Sequence, residues 1–169
     1  GEFGEGKMTE PDEIVKRIEN YFFGLNHNKK FKALVTAGPT YEYIDPVRFI
    51  SNKSSGKQGF ELAKSLSKRG FQTTLISGPT NLKIDKDINL IQVETAEQMF
   101  RATQSSLPAD VAIFSAAVAD FKIKVQKKQK IKKENYVNLY LEKNIDILSY
   151  VSNHNSLRPK LVIGFAAET

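Results

Sequence analysis

The chain has 169 residues, of which 40% are hydrophobic and 26% charged, the balance of a soluble globular domain. It has no cysteine, which excludes disulfides, cysteine nucleophiles and cysteine metal sites, and no apolar run of the roughly 18 residues that a membrane-spanning helix needs. The formal net charge is +6, and lysines crowded between residues 122 and 133 account for it, so the charge does not predict a surface-wide nucleic-acid interface. Without a secretory signal pattern, we expect a cytoplasmic protein.

The first thirty residues predict one amphipathic helix. Residues 1–8 do not begin with methionine, and they fit either a vector remnant or a boundary inside a longer protein, the interpretation that we favour. Pro11 suits the first turn of a helix, Gly24 suits its end, and apolar residues recur between them at helical spacing: Ile14, Val15, Ile18, Tyr21 and Phe22. We expect this helix to act as a connector that packs against the core.

The stretch from residue 34 to residue 59 predicts a phosphate-binding turn. An apolar run over 33–35 indicates a buried strand, which Gly38 and Pro39 end. Small and polar residues then precede a helical pattern: Asn52, Ser54, Ser55, Gly56, Lys57 and Gly59. Such residues leave backbone N–H groups open at a helix N-terminus, where the dipole favours an anion. Neither a Walker A loop nor a G-x-G-x-x-G motif is present, and a polar loop that merely caps the helix is the alternative.

The rest of the chain predicts an alternation of strands and helices. In order these are a helix over 56–69 with Gly70 as its C-cap, strands over 71–76 and 88–93, a helix from a Thr95–Gln98 capping box to near Pro108, and strands over 111–114 and 161–163. Near-continuous apolar strands alternating with helices predict a Rossmann-like, three-layer α/β fold with a mainly parallel sheet. Ligands of such sheets bind beyond the carboxyl ends of the strands.

Candidate binding residues follow two of the predicted strands. After the fourth strand come Ser115, Ala116 and Ala117, small enough for a ligand to approach the backbone. Asp120 then suits a ribose hydroxyl, a base amino group or Mg²⁺, although a lone aspartate is more often a turn or cap residue. Phe165 follows the last strand and suits either stacking on a base or packing in the core.

The segment from residue 122 to residue 148 is open to several interpretations. Its lysine run fits a solvated loop, a flap that delivers lysines to a triphosphate, or a nucleic-acid patch, for which only Phe121 and Tyr136 are near to stack on bases. Residues 136–141 alternate polar and apolar, which predicts a half-exposed strand without a partner in the parallel sheet, free to pair with a second chain. Asn144 suits the N-cap of a following helix.

Four ordered motifs resemble those of bacterial phosphopantothenoylcysteine synthetase, also called phosphopantothenate–cysteine ligase. They are T-A-G-P-T-x-E-x-I-D-P-V-R-F-I-S-N-x-S-S-G-K-x-G over 36–59, A-A-V-A-D-F over 116–121, K-I-K-K over 130–133 and G-F-A-A-E-T over 164–169. The stretch from Lys143 to Leu148 also resembles the family's K-N-P-D-I-L, with Ile145 where proline is usual. The resemblance covers almost the whole chain.

The resemblance also implies a domain division. Residues 4–11 are similar to the stretch that closes the flavin-dependent decarboxylase half of a bifunctional coenzyme A biosynthesis protein. We therefore expect residues 1–30 to hold the end of that upstream domain and a connector helix, with FMN belonging to the absent decarboxylase. Residues 31–169 would form a nucleotide-binding ligase domain that is incomplete at its C-terminus, because the family continues with another helix and more sheet.

The chemistry implied is a ligation in two steps. The carboxylate of 4′-phosphopantothenate attacks the α-phosphorus of CTP to give an acyl-cytidylate, with Mg²⁺ neutralising the phosphates, and the amine of cysteine then displaces CMP. The implied catalytic residues are Lys130 in the first step and Asn52 and Arg48 in the second. The implied CTP and phosphate contacts are Gly38, Ser54, Ser55, Gly56, Lys57, Ser115, Ala116, Ala117, Asp120, Lys143, Asn144 and Phe165, with Asp120 also a possible metal ligand.

The resemblance further implies a homodimer that forms through the strand near residue 140, within a larger oligomer for the bifunctional protein, and no nucleic-acid or membrane partner. CTP rather than ATP rests only on the bacterial form of the motifs, because the eukaryotic relatives that use ATP differ around the S-S-G turn. Two alternatives stay open: a nucleotide-binding fragment without turnover, and a basic nucleic-acid-binding module built on the lysine run.

Overall fold

A five-stranded parallel sheet lies at the centre of the structure, a computed structural model that describes residues 9–23, 30–132 and 138–166. The strands within these ranges are β1 (Lys32–Ala37), β2 (Glu42–Tyr43), β3 (Phe49–Ile50), β4 (Gln72–Ser77), β5 (Asn89–Gln92), β6 (Val111–Phe114), β7 (Phe121–Ile123), β8 (Leu141–Lys143) and β9 (Leu161–Gly164). The central sheet has the order β5-β4-β1-β6-β9, and each neighbouring pair is parallel. The predicted parallel sheet is confirmed.

Helices cover both faces of this sheet, so the predicted three-layer arrangement is also confirmed. They are α1 (Pro11–Phe23), α2 (Lys57–Lys68), α3 (Ala96–Ser105) and α4 (Ile147–Ser152). Alternate side chains of a strand point to opposite faces. In β1, Val35 packs in the cluster that holds α1 and α2, whereas Leu34 packs in the cluster that holds Met99 of α3 and Ile147 of α4.

Helix α1 packs against the core, as its spacing of apolar residues predicts. Val15, Ile18 and Phe22 are buried. The ring of Phe22 lies 4.9 Å from that of Phe31, measured between centroids. Polar contacts on the outside join α1 to α2, because Arg69 donates from Nε to Glu19 Oε2 over 2.8 Å.

The helix termini confirm one predicted cap and correct another. Thr95 and Gln98 form the predicted capping box at the start of α3. Asn144 was expected to cap the next helix, and this is wrong: α4 begins at Ile147, so the N-cap is Asp146, whose Oδ1 accepts from the backbone N–H of Ser149 over 2.8 Å. An N-cap must directly precede the first helical residue, and Asn144 lies two positions too early.

Two small antiparallel sheets lie outside the central one. The β2–β3 hairpin falls within residues 34–59, where the sequence predicted a strand and a phosphate-binding turn but no hairpin. The strand predicted over 136–141 is wrong in its bounds, because residues 138–140 are not in a strand and β8 shares only Leu141 with it. Strand β8 pairs with β7, where the lysine-rich segment over 122–133 begins, so it also has a partner in its own chain. The alternation indicates a strand but does not identify its partner; residues 136–137 lie outside the described ranges. No helix in the described part of the chain is long and apolar enough to cross a bilayer.

Candidate functional site

A cavity of about 850 Å³ opens at the carboxyl ends of β1, β6 and β9. Thr36 of β1, Phe114 of β6 and Phe165 after β9 all line it. The chain runs from β1 outward to β4 and β5 and then crosses to β6 on the other side of β1, so the strand order reverses at this point. Parallel α/β sheets bind their ligands in the crevice at such a reversal.

The floor of the cavity is the segment after β6, which hydrogen bonds fasten to the end of β1. The backbone N–H of Ala117 donates to the carbonyl of Gly38 over 2.9 Å, and that of Ala119 donates to the buried Thr40 Oγ1 over 3.0 Å. Small side chains from Ala116 to Ala119 line the cavity. Ser115 does not line it, and its hydroxyl donates to the carbonyl of Thr36 over 2.7 Å.

Asn52 belongs to the motif over residues 36–59, the long motif, and lies at the same cavity. Its Nδ2 donates to the carbonyl of Val118 over 3.0 Å, which holds the loop before α2 against the floor segment. Asn52 and its neighbour Lys53 both line the cavity. The amide therefore stands at the junction of two motifs that are far apart in the sequence.

The far wall comes from the β7–β8 pair and the turn into α4. The Asn144 backbone N–H donates to the Asp120 carbonyl over 2.7 Å, and the Asn144 Nδ2 donates to the Ala119 carbonyl over 3.1 Å. Asp120 and Lys143 place opposite charges at this wall. Within the described ranges the Asp120 carboxylate forms no ion pair, and no three His, Asp or Glu side chains gather as a metal site.

A turn built on glycine lies beside the cavity. Gly38 and Gly56 both have a φ of 75°, a left-handed conformation that glycine adopts without strain. A Cβ on Gly56 would lie 2.8 Å from Thr80 Cγ2 and 3.3 Å from the Gly38 Cα, so the two loops meet without room for a side chain. This close approach places the N-terminus of α2 against the end of β1.

Unlike Asn52, the later residues of the predicted phosphate turn do not line the 850 Å³ cavity: Ser54, Ser55, Gly56 and Lys57. The hydroxyl oxygens of Ser54 and Ser55 accept from the backbone N–H groups of Gly56 and Lys57, over 3.2 Å and 3.4 Å. The Lys57 side chain lines a separate cavity of about 480 Å³ between α1 and α2. The structure thus joins these residues to the start of α2 rather than to the main cavity.

Arg48 lies on the β2–β3 hairpin and Lys130 on the lysine-rich segment that contacts it, and neither residue lines the cavity. The guanidinium of Arg48 contacts the buried carboxylate of Asp45, and its Nη2 also donates to the carbonyl of Ile131 over 2.9 Å. Lys130 is exposed and directly precedes Ile131. Hydrogen bonds from Arg48, joined by backbone N–H groups of Val47 and Ile131, hold the pKa of Asp45 well below its usual range although burial opposes this shift.

Several residues of this region were missed by the sequence analysis. Asp45 was quoted only as a letter of the motif, although an aspartate followed by proline is typical of a turn in which the carboxylate accepts local N–H groups. Lys53, Phe114 and Asp146 line the cavity without having been predicted to. Lys53 stands between two residues that were selected, which is the one signal that pointed to it.

Comparison with known proteins agrees with these features. The sequence model of the family described as "DNA/pantothenate metabolism flavoprotein C-terminal domain" matches residues 28–169. The chain is 43% identical over 171 aligned positions to the coenzyme A biosynthesis bifunctional protein CoaBC of Haemophilus influenzae, covering 100% of this chain and 42% of that protein. It is 42% identical to CoaBC of Borreliella burgdorferi, covering 96% of this chain and 42% of that protein. The chain thus spans less than half the length of these relatives.

Solved structures show the same fold. The crystal structure of the C-terminal domain of CoaBC matches with a TM-score of 0.70 and 40% identity, covering 83% of this chain and 66% of that one. The DNA/pantothenate metabolism flavoprotein of Streptococcus pneumoniae matches with a TM-score of 0.66 and 26% identity, covering 78% of this chain and 67% of that one. At 18% identity, a mutant of Cab2 in complex with phosphopantothenate-cysteine shares the fold with a TM-score of 0.63, covering 93% of this chain and 70% of that one. The chain belongs to the DNA/pantothenate metabolism flavoprotein C-terminal domain family.

Proposed function

We propose that this chain catalyses the CTP-dependent ligation of 4′-phosphopantothenate and cysteine in coenzyme A biosynthesis. The observation that carries the proposal is the cavity at the strand reversal, which joins residues from separate motifs of the sequence. Seven of the residues selected from the sequence line it: Asn52, Ala116, Ala117, Asp120, Lys143, Asn144 and Phe165. The names of the full-length relatives at about two-fifths identity support the same pathway.

The nucleoside of CTP fits the floor and far wall of the cavity. Ala116 and Ala117 leave space for a base or ribose to approach the backbone, and the Phe165 ring offers a stacking surface. The Asp120 carboxylate accepts hydrogen bonds, as a ribose hydroxyl or base amino group requires. The triphosphate would then extend toward the glycine turn, where the dipole of α2 favours negative charge. We propose CTP rather than ATP as the nucleotide because the S-S-G turn resembles that of the bacterial family.

Magnesium fits this site as an ion carried by the nucleotide. Mg²⁺ is commonly held by substrate phosphates together with one or two carboxylates, and Asp120 and Asp146 are the carboxylates that line the cavity. Asp146 already accepts a hydrogen bond as the cap of α4, so Asp120 is the better ligand. When bound, Mg²⁺ would neutralise charge on the triphosphate.

The proposed reaction forms and breaks one bond in each of two steps. First, a carboxylate oxygen of 4′-phosphopantothenate bonds to the α-phosphorus of CTP and pyrophosphate leaves. The ammonium group of Lys130 would stabilise the charge that develops on the phosphate. Second, the amine of cysteine bonds to the acyl carbon and CMP leaves, while Asn52 and Arg48 hold the carbonyl and a substrate anion.

No histidine in the described ranges lines the cavity to act as a general base. His154 lies after α4, and its Nδ1 accepts from the backbone N–H groups of Ser156 and Leu157. His27 lies outside the described ranges. We therefore propose that the amine proton passes to the departing phosphate or to water.

We also propose that two copies associate through the surface beside β7 and β8. Exposed apolar side chains gather there: Phe121, Val125, Leu139, Tyr140 and Leu141. Exposed apolar patches of this kind mark interaction sites. A larger oligomer, together with FMN, would belong to a longer bifunctional protein. We place the protein in the cytoplasm, where CTP and free cysteine are available, without a nucleic-acid or membrane partner.

The ligation is tested by mass spectrometry of the full-length protein with CTP, Mg²⁺ and 4′-phosphopantothenate, with and without cysteine. We expect phosphopantothenoyl-cytidylate without cysteine and phosphopantothenoylcysteine with it. Asn52→Asp should accumulate the intermediate, whereas Asn155→Asp, at an exposed turn, should behave as the unmodified protein. CTP binding without any intermediate would instead favour a nucleotide-binding protein without turnover, and failure to bind CTP would contradict the proposed site.

A further inference from the structure

A clasp joins the lysine-rich segment to the long motif, and it is formed by Asp45, Arg48 and Ile131. The backbone N–H of Ile131 donates to Asp45 Oδ2 over 3.1 Å, across a separation of 86 residues. The carbonyl of Ile131 accepts from Arg48 Nη2 over 2.9 Å. Both backbone groups of one residue are therefore held by side chains of the hairpin turn, directly beside Lys130.

Asp45 is placed firmly enough to act as the fixed end of this clasp. Its side chain has no exposed surface, and its Oδ1 accepts from the backbone N–H groups of Val47 and Arg48, both over 2.9 Å. Its Oδ2 accepts from Arg48 Nε over 2.9 Å as well as from Ile131. Arg48 Nε and Nη2 both donate to this one oxygen, and hydrogen bonds between charged groups are stronger than those between neutral groups.

The hairpin that carries Asp45 is in turn attached to the body of the protein. The buried Glu42 accepts from the Ala96 N–H over 2.9 Å at the N-terminus of α3, where the dipole favours its charge. The backbone N–H of Tyr41 donates to the carbonyl of Glu94 over 2.7 Å. The hairpin, and with it the lysine-rich segment, is therefore attached to the start of α3.

Apolar side chains lie beside the segment on its other side. Ile131 shares a recess of about 280 Å³ with Ile44, Ile123 and Leu139. A second backbone contact lies four residues earlier, where the N–H of Lys127 donates to the carbonyl of Ile44 over 2.9 Å. The chain from residue 127 to residue 131 is thus attached at both ends, and Lys130 lies between the attachments.

We infer that Asp45 is a positioning residue that sets the place of Lys130 for the first step of the reaction, acting through Arg48 and Ile131. This inference rests on the proposed function, in which Lys130 acts on the phosphate. It also gives Arg48 a part in the first step, whereas the resemblance implies a part in the second. A misplacement of about 1 Å costs a catalytic group on the order of a hundredfold in rate, so loss of the clasp has a large kinetic effect.

The test is a double-variant cycle on the full-length protein, with Asp45→Asn, Lys130→Ala and both together. Single-turnover formation of phosphopantothenoyl-cytidylate is measured alongside the affinity for CTP. We expect Asp45→Asn to slow the step by about 10- to 100-fold with CTP affinity unchanged within about threefold. In the Lys130→Ala background, Asp45→Asn should have no further effect, because it acts through that lysine. Asp87→Asn, at an exposed position, serves as the matched control.

Hydrogen exchange supplies a readout that does not depend on turnover. The amide N–H of Ile131 should exchange faster in Asp45→Asn than in the unmodified protein, while amides of β1 keep their protection. If Asp45→Asn does not fold, Arg48→Lys replaces it, because a single ammonium cannot span both Asp45 and the Ile131 carbonyl.

Each outcome decides between the alternatives. Equal slowing by Asp45→Asn with and without the Lys130 side chain would overturn the inference in favour of a general structural role, as would an unchanged rate in a folded variant. Absence of the intermediate from the unmodified protein would instead contradict the proposed function itself, and the role of Lys130 would fall with it.

Discussion

Replacement of Gly56 should test how closely the loop before α2 approaches the loop after β1. Alanine there would adopt a left-handed conformation and would also press on the Thr80 methyl group and the Gly38 backbone. Gly70 has a φ of 85°, but no atom lies within 4 Å of the place that a Cβ would take, so Gly70→Ala isolates the conformational cost. We expect about 1 kcal/mol lost in the free energy of unfolding for Gly70→Ala and about 1–3 kcal/mol more for Gly56→Ala, by urea denaturation. Equal losses would show that the loops tolerate a side chain.

Asp45 should give the protein part of its sensitivity to acid. Because its folded-state pKa is lowered, its stabilising effect is full above the ordinary carboxyl pKa of about 4 and is lost as the pH falls toward the folded-state pKa. The difference in unfolding free energy between the unmodified protein and Asp45→Asn should therefore shrink between about pH 5 and pH 2. Asp12 also has a lowered pKa, from hydrogen bonds with Ser65 and Arg69, but it is present in both proteins and cancels. A difference in unfolding free energy that stays constant from pH 5 to pH 2 would contradict a lowered pKa for Asp45.

At this scale, part of the cavity lining could be selected from the motifs, whereas the buried charge could not. Asn52, Ala117 and Asp120 were selected from the sequence, and all three line the cavity. The importance of Asp45 depends on Ile131, a partner that no local pattern connects with it. Ser54 and Lys57 were correctly predicted to lie at the start of a helix, but the direction of a side chain at a helix start follows from packing that spacing does not show.

Among the elements, α1 should contribute to stability as a full part of the core. Phe22 is fully buried against Phe31 and Phe71, whereas its neighbour Tyr21 is 53% exposed. Phe22→Ala should lower the free energy of unfolding by about 3–5 kcal/mol, since it removes a large side chain and leaves a cavity. Tyr21→Ala should cost less than about 1 kcal/mol. Comparable small losses in both variants, measured by chemical denaturation, would mean that α1 folds as a separate appendage.

The central elements were predictable because each satisfies its own local pattern. The apolar run over 111–114 matches β6, and the capping box matches the start of α3. The two antiparallel pairs were not foreseen, because strands of two or three residues carry too few alternating positions to register as a pattern. The cap of α4 was misplaced by two residues, at Asn144 instead of Asp146.

For the molecule as a whole, association of two copies should depend on the apolar surface beside β8. Tyr140 is 69% exposed there, the largest exposed fraction among the exposed apolar side chains of the described ranges. Tyr140→Asp should shift the protein toward the monomer in analytical ultracentrifugation, because a charge in a desolvated contact is costly. Leu157→Asp, at a surface beyond α4, should leave the mass unchanged. An unmodified protein that is monomeric at all concentrations would refute the proposed dimer.

The class of the sheet followed from the sequence, but its strand order did not. Alternating strands and helices predict parallel pairing, whereas the crossing from β5 to β6 past β1 is a long-range choice. That crossing creates the reversal at which the cavity opens. The position of the cavity therefore depends on the topology, whereas several of the residues that line it could be selected from the motifs.

The most direct test of the central claim is exchange of labelled pyrophosphate into CTP by the full-length protein. A reversible first step incorporates label only when 4′-phosphopantothenate is present, and it needs no cysteine. We predict exchange that requires 4′-phosphopantothenate and is strongly reduced in Lys130→Ala. Exchange without the acid, or none in its presence although CTP and the acid both bind, would contradict an acyl-cytidylate mechanism.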